Sequence, residues 1–191
     1  MEKYITFEEY RHLRYQTGQM KEPDSEYDGI RLYPGMATTV EKLKTWNVRE
    51  DDVWTVTYPK AGTTWAQEII SCIMHDGNLE AVNKNHTTFR VMFLEWDFPE
   101  EARQPKQLPA MLKIADEMPS PRVLKSHLPG HLLPPQLWEK KPKIVCVLRN
   151  PKDLVVSYFH FMKMVKPTAA TKAQTFGEFL DEMRAGKSNR S

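Results

Sequence analysis

The sequence has few cysteines and no long apolar run. Cys72 and Cys146 are its two cysteines among 191 residues, and both stand inside apolar patterns. Buried thiols in a reducing compartment fit that placement better than a disulfide, so we expect a cytoplasmic protein. Apolar runs such as Ile144 to Leu148 are far shorter than the roughly 18 to 20 residues that cross a bilayer. The charged amino-terminal stretch also lacks the apolar segment of a signal peptide.

An excess of one charge is also absent. The chain has 27 Lys and Arg against 25 Asp and Glu, a net charge of +2. We therefore expect neither nucleic acid nor a membrane surface as a partner. Hydrophobic residues make up 40% of the chain, which at this length favours one globular domain with a substantial core.

The pattern along the chain alternates strands and helices. The β-branched and aromatic run Val53 to Tyr58 predicts a strand, and helical spacing begins at Thr64. The run Lys143 to Leu148 is apolar without alternation, which predicts a parallel strand covered on both faces. Asn150-Pro151 then opens a second helix, and Arg122 to Leu128 is a third strand candidate. This order predicts a three-layer α/β fold with a central parallel sheet flanked by helices.

The stretch TYPKAGTTW joins the first strand to its helix and has the composition of an anion-binding loop. Gly62 permits a tight turn, Lys60 supplies a charge, and Thr63 and Thr64 supply hydroxyl groups beside the helix amino terminus. The Lys precedes the Gly, so this is not the G-x-x-x-x-G-K-[ST] loop of nucleotide hydrolases, and a P-loop kinase is disfavoured. The alternative is an ordinary turn capped by Thr64, with Lys60 in solvent.

The stretch RVLKSHLP places a cation and a histidine on one strand face. Strand alternation directs Lys125 and His127 to the same side. The Lys125 charge would lower the pKa of His127 and keep its ring neutral, as a general base requires. The alternative is an edge strand that carries two solvated polar groups.

The stretch VLRNPKDLVVSYFHF begins at the carboxyl end of a strand, where open α/β sheets bind ligands. Arg149 and Ser157 are candidates for a second anion site there, unless Arg149 pairs with Asp153. His127 and His131 are separated by Leu-Pro-Gly, and Cys72 and His75 have no further ligands at zinc spacing. We therefore expect no metal site.

The three stretches, in this order and spacing, resemble those of the cytosolic sulfotransferases, and the likeness runs from about Gly29 to the carboxyl terminus. The resemblance implies a P-loop-like fold over residues 29–191, preceded by an arm over residues 1–28. It further implies 3′-phosphoadenosine 5′-phosphosulfate (PAPS) as donor, without a metal. The acceptor would be a hydroxyl or amine of a small phenol, alcohol or steroid.

The resemblance also assigns roles to individual residues. His127 would be the general base, and Lys60 and Lys125 would stabilise the transferring sulfuryl group. Arg149 and Ser157 would bind the 3′-phosphate. The loop residues expected at the 5′-phosphosulfate are Lys60, Ala61, Gly62, Thr63, Thr64 and Trp65, with Trp65 against the adenine. The acceptor pocket would include Phe93, Lys125, His127 and Phe161.

The chain departs from the family in two ways. Ala61 stands where Ser is common, a mild change because backbone N–H groups do the binding. The later Tyr and Thr near the adenine, the segment that closes over the 3′-phosphate and the dimerisation motif have no counterpart here. We therefore expect the amino-terminal two thirds of a sulfotransferase, with little activity in isolation. The alternative is an inactive family member that binds a nucleotide or a partner protein.

Overall fold

The computed structural model describes residues 25–32, 36–96, 110–165 and 173–186. Most of the expected arm, residues 1–24, lies outside them. The strands are β1 (Ser25–Tyr27), β2 (Ile30–Leu32), β3 (Val53–Thr57), β4 (Met92–Phe93), β5 (Val123–Ser126) and β6 (Lys143–Val147). The helices are α1 (Met36–Leu43), α2 (Thr63–Met74), α3 (Leu79–Asn83), α4 (Thr87–Arg90), α5 (Met111–Glu117), α6 (Gln136–Lys140), α7 (Pro151–Val165) and α8 (Phe176–Arg184).

The central sheet has four parallel strands in the order β4-β5-β3-β6. Trp54 of β3 is paired with Leu124 of β5 on one side and with Ile144 of β6 on the other. Because the strands are parallel, β3, β5 and β6 end at the same edge, where ligands bind in open α/β sheets. The predicted α/β fold with a central parallel sheet is confirmed.

The two faces of the sheet pack against different helices. Trp54 and Leu124, both fully buried, contribute to the main core. That core continues into α1 through Val40 and Leu43 and into α5 through Leu112 and Ala115. On the opposite face, a smaller cluster joins α2 to β3 and β5. Its buried residues are Val53, Ile70, Val91 and Val123.

A buried ion pair joins the amino-terminal ends of β3 and β5. The Arg122 guanidinium donates to both Asp52 carboxylate oxygens, at 2.8 Å from Nε and 2.7 Å from Nη2, and both residues are 0% exposed. It also donates to the carbonyls of Ala115 and Asn47 and lies 4.4 Å from the centre of a Trp46 ring. These contacts satisfy most of its donors, which a buried guanidinium needs. The pair therefore fixes the sheet at the end opposite the ligand-binding edge.

The prediction that β6 is covered on both faces is wrong for the structure described. Ile144 and Val145 are 40% and 38% exposed, and Cys146 is exposed rather than buried. Within the described residues, β6 is an edge strand that pairs only with β3. An apolar run indicates that a strand is suited to burial, but it does not determine whether other elements pack on its two faces. Cys72, the other cysteine, is partly buried.

A short antiparallel hairpin precedes α1. It pairs β1 with β2, and Tyr27 and Ile30 pack against the main core. The expected boundary between residues 28 and 29 falls inside this hairpin. Across the described ranges, no helix is both long enough and apolar enough to cross a membrane.

Candidate functional site

The loop after β3 is shaped by two residues with left-handed backbone. Lys60 has φ 70° and Gly62 has φ 114°, and α2 begins directly afterwards at Thr63. Gly62 is the residue before the helix, and no side chain caps that helix end, so the alternative of a turn capped by Thr64 is not what the structure shows. The first N–H groups of a helix have no intrahelical acceptor and lie at the positive end of its dipole. The turn therefore has the geometry of an anion-binding loop.

A chain of hydrogen bonds links this loop to His127. The Thr63 hydroxyl lies 2.6 Å from the Thr57 hydroxyl, which lies 3.2 Å from Nδ1 of His127. The same Nδ1 lies 2.7 Å from the Thr57 carbonyl oxygen. A carbonyl only accepts, so Nδ1 carries the proton and donates it to Thr57. In the neutral ring, Nε2 is consequently the nitrogen free of a proton.

The surroundings of His127 keep its ring neutral. Burial, and to a smaller extent the nearby Lys125 charge, lower the pKa of His127 to about 4, against an opposing effect of the Thr57 hydrogen bond. The direction expected from Lys125 agrees with this, although burial is the larger cause. A ring with this pKa is unprotonated at neutral pH, so Nε2 is able to accept a proton.

Two aromatic rings lie against the lysines of the site. The Lys125 ammonium is 4.0 Å from the centre of the Phe93 ring. The Phe93 ring also packs edge-to-face with the His127 ring, with 5.1 Å between the ring centres. The Lys60 ammonium is 4.4 Å from the centre of the Phe161 ring. These are cation–π distances. Lys125 and His127 thus share Phe93 as a neighbour, as strand alternation predicts.

The remaining predicted residues differ in their exposure. Arg149 is exposed and donates from Nη1 to the Lys60 carbonyl at 3.0 Å, which joins the end of β6 to the loop. Trp65 on α2 is 81% exposed. Thr64 is also exposed, whereas Ala61 is buried, and Ser157 is half-buried on α7.

Two residues that the sequence reasoning missed support His127. Thr57 orients the ring, and its position at the end of a strand before the loop was the available signal. Glu95, in a 3₁₀ turn directly after β4, is buried and accepts from the backbone N–H of His127 at 2.6 Å. An acidic residue between Leu94 and Trp96 was its only signal in the sequence. In the parts of the chain that the structure describes, no group of three or more His, Cys, Asp or Glu is arranged to hold a metal ion.

Comparison with known proteins identifies the family. Residues 50–191 match the family described as Sulfotransferase domain. Sulfotransferase 1C2 of Homo sapiens is 39% identical over 158 residues, which are 82% of this chain and 51% of that protein. The mouse sulfotransferase SULT7A1, solved in complex with PAP, has a TM-score of 0.60 and 26% identity, over 83% of this chain and 50% of that one.

A second solved structure supports the fold. Retinol dehydratase, in complex with androsterone and the inactive cofactor PAP, superposes with a TM-score of 0.70 over 96% of this chain and 60% of that one. Its identity is 21%, so this likeness concerns the fold alone. The chain belongs to the sulfotransferase family, as its three sequence motifs predicted. It spans about half the length of the curated relatives it matches.

Proposed function

We propose that the chain binds PAPS and carries the base for sulfuryl transfer to a hydroxyl or amine of a small acceptor. The observation that carries this proposal is the hydrogen-bonded connection between the anion-binding loop and a neutral histidine. Thr63 of the loop reaches His127 through Thr57, and Nδ1 donates to the Thr57 carbonyl. A base so oriented beside an anion-binding loop suits the removal of an acceptor proton next to a bound anionic donor.

The loop suits the 5′-phosphosulfate of the donor. Its residues, Lys60 to Trp65, would offer backbone N–H groups at the start of α2 and the hydroxyl of Thr64. The Thr63 hydroxyl bonds Thr57, so Thr63 would contribute mainly its N–H. Lys60 supplies a cation whose ammonium rests on the Phe161 ring. The donor, when bound, supplies a sulfuryl group activated by its bond to the nucleotide phosphate.

The other end of the donor would meet the end of β6 and the start of α7. Arg149 and Ser157 are proposed to bind the 3′-phosphate, and the exposed face of Trp65 is proposed to lie against the adenine. Arg149 is exposed and already contacts the loop through the Lys60 carbonyl, and this contact supports the assignment. The PAP complex of SULT7A1 supports a nucleotide of this kind.

The catalytic step would divide between His127 and the lysines. His127 would accept the acceptor proton at Nε2, while Lys60 and Lys125 would offset negative charge on the transferring oxygens. Such positioned charges contribute most where charge develops, as in phosphoryl transfer. None of these residues requires a metal ion for its part.

The acceptor would lie against Phe93 and Phe161, near Lys125 and His127. Aromatic walls with a few polar groups are typical of small-molecule sites. We propose a phenol, alcohol or steroid as acceptor. We further propose that residues 29–191 form the sulfotransferase domain and that the protein is cytoplasmic.

The test of the base is His127→Ala, with His131→Ala as the matched control, since His131 is exposed and outside the site. Transfer to a phenol acceptor is measured on the 191 residues and on a chimera that carries the remaining segment of Sulfotransferase 1C2. We expect His127→Ala to reduce transfer by the chimera about 10²- to 10⁴-fold, because a general base is lost. PAP affinity, measured by calorimetry, should not change. An equal loss of affinity would make His127 a structural residue, and PAP binding without any transfer by the unmutated chimera would favour the binding-protein alternative.

The test of the loop is Lys60→Met, with Lys84→Met as its control on an exposed surface. A charge-assisted hydrogen bond contributes about 1.5 to 3 kcal/mol, so Lys60→Met should weaken PAP binding by roughly 10- to 150-fold. Calorimetry on the 191-residue chain measures this directly. If both variants bind PAP like the unmutated chain, the loop assignment is wrong.

A further inference from the structure

Glu95 is a buried carboxyl group with an unequal set of contacts. One oxygen, Oε1, accepts from the hydroxyl of Ser126, from the His127 N–H at 2.6 Å and from the Leu128 N–H at 3.1 Å. The other oxygen, Oε2, is buried and has no hydrogen-bond partner among the described residues. The side chain is 1% exposed. Three donors on one oxygen and none on the other indicate that Oε1 is the functional atom.

The three donors occupy consecutive positions where β5 ends. Ser126 is the last residue of β5, and the chain leaves the sheet at His127 and Leu128. Beyond a strand end, the ladder no longer supplies acceptors, and a buried N–H without one costs about 1 to 3 kcal/mol. Glu95 Oε1 therefore replaces the ladder for the His127 N–H, shares the Leu128 N–H with the Ser126 hydroxyl oxygen at 3.0 Å, and fixes the backbone from which the His127 imidazole projects.

This position determines what the imidazole contacts. Its Nδ1 lies 2.7 Å from the Thr57 carbonyl oxygen, and its ring packs edge-to-face with the ring of Phe93. Phe93 stands two residues before Glu95 in the chain. We propose that Glu95 is a positioning residue for His127: its Oε1 holds the turn after β5 so that the imidazole stays hydrogen-bonded to the Thr57 carbonyl. This rests on the proposed function, because a positioning role concerns transfer only if His127 is the base.

The role does not depend on a negative charge at Glu95. Burial raises the pKa of Glu95 above its ordinary value, against lowering effects of its hydrogen bonds and of Lys125. The causes that lower the pKa of His127 are burial and Lys125, and Glu95 is not among them. A neutral acceptor of the same shape should consequently hold the turn as well as the carboxyl group does.

The experiment compares Glu95→Gln with Glu95→Leu in the 191-residue chain, and reads the titration of His127 by NMR. The His127 signals are assigned by their loss in His127→Asn, and Glu139→Gln is the exposed control. We expect the pKa of His127 to remain about 4 in Glu95→Gln, which keeps the acceptor oxygen. In Glu95→Leu it should move toward 6.5, the ordinary value, because the released ring becomes hydrated.

Each outcome decides the proposal. A folded Glu95→Leu chain with His127 still titrating near 4 overturns it, and so does an equal shift in the Gln and Leu variants. If Glu95→Leu does not fold, Glu95→Asp takes its place, because it withdraws the carboxyl group by one methylene, and the same readings apply. In the sulfotransferase chimera, Glu95→Leu should lower kcat at least 10-fold with KM for the donor unchanged. Failure of the unmutated chimera to transfer would count against the proposed function, while the titration result stands independently.

Discussion

The two strands that flank β3 have opposite surroundings, although β6, with four apolar residues of five, is more apolar than β5, with two of four. β5 is almost entirely buried between the main core and α2, whereas four of the five residues of β6 are exposed. Leu124 and Ile144 pair with the same residue, Trp54, yet they are 0% and 40% exposed. β5 and β6 thus both pair with β3 through their backbones, but it is mainly the side chains of β5 that are packed against other elements.

The difference shows where the free energy of folding resides. Hydrogen bonds to β3 hold both strands in register, but their net contribution is modest. The burial of apolar surface and the Asp52–Arg122 pair act on the β5 side. We therefore expect stability to depend on residues of β5 far more than on their counterparts in β6. Matched substitutions test this.

The largest difference that we expect in the free energy of unfolding is between Arg122→Ala and Lys143→Ala. Arg122 directly precedes β5 and Lys143 begins β6, and the backbone of each bonds to the start of β3. Arg122→Ala leaves Asp52 buried without its cation, which should lower the free energy of unfolding by about 3 to 5 kcal/mol. Lys143 is exposed, so Lys143→Ala should change it by less than about 0.5 kcal/mol. Urea denaturation measures both, and equal effects would contradict the comparison.

A smaller difference is expected between Leu124→Ala and Ile144→Ala. Leu124→Ala removes a fully buried side chain and leaves a cavity, at a cost of about 2 to 5 kcal/mol in the free energy of unfolding. Ile144→Ala should cost less than about 1 kcal/mol, because much of the side chain is already hydrated. Thermal and urea denaturation of the two variants provide the measurement. A cost for Ile144→Ala as large as that for Leu124→Ala would mean that β6 is covered in solution.

The same comparison explains what the sequence could predict of the fold. Strands β3, β5 and β6, the helices after β3 and β6 and the parallel sheet follow from local apolar patterns, and the predicted starts at Val53 and Lys143 are those of the structure. The short strands β1, β2 and β4 were not predicted. Local pattern cannot report what packs over a strand, so the exposure of β6 was missed. The Asp52–Arg122 pair was missed as well, because its partners are 70 residues apart in the chain.

The site divides in a similar way. The loop and the Lys125–His127 pair were predictable because their residues are adjacent in sequence and their spacing carries the geometry. Glu95 reaches His127 from 32 residues away, and only the fold brings them together. Thr57 shows the same limit: its place at a strand end was visible, but its carbonyl contact with His127 depends on the pairing of β3 with β5.

The smallest expected effect is on chemical reactivity rather than stability. Cys146 of β6 is exposed and Cys72 of α2 is partly buried, so a thiol-reactive reagent should label the folded chain in two phases. The fast phase should disappear in Cys146→Ser and persist in Cys72→Ser, while the free energy of unfolding of Cys146→Ser stays within about 0.5 kcal/mol of the unmutated value. Labelling at low protein concentration, followed by mass spectrometry, separates the two sites. Slow labelling of Cys146 in the folded chain, with rapid labelling in urea, would show that another part of the chain or a second copy covers β6. β6 would then be covered in solution as β5 is. In that case Ile144→Ala should also lower the free energy of unfolding by more than the limit of about 1 kcal/mol expected above.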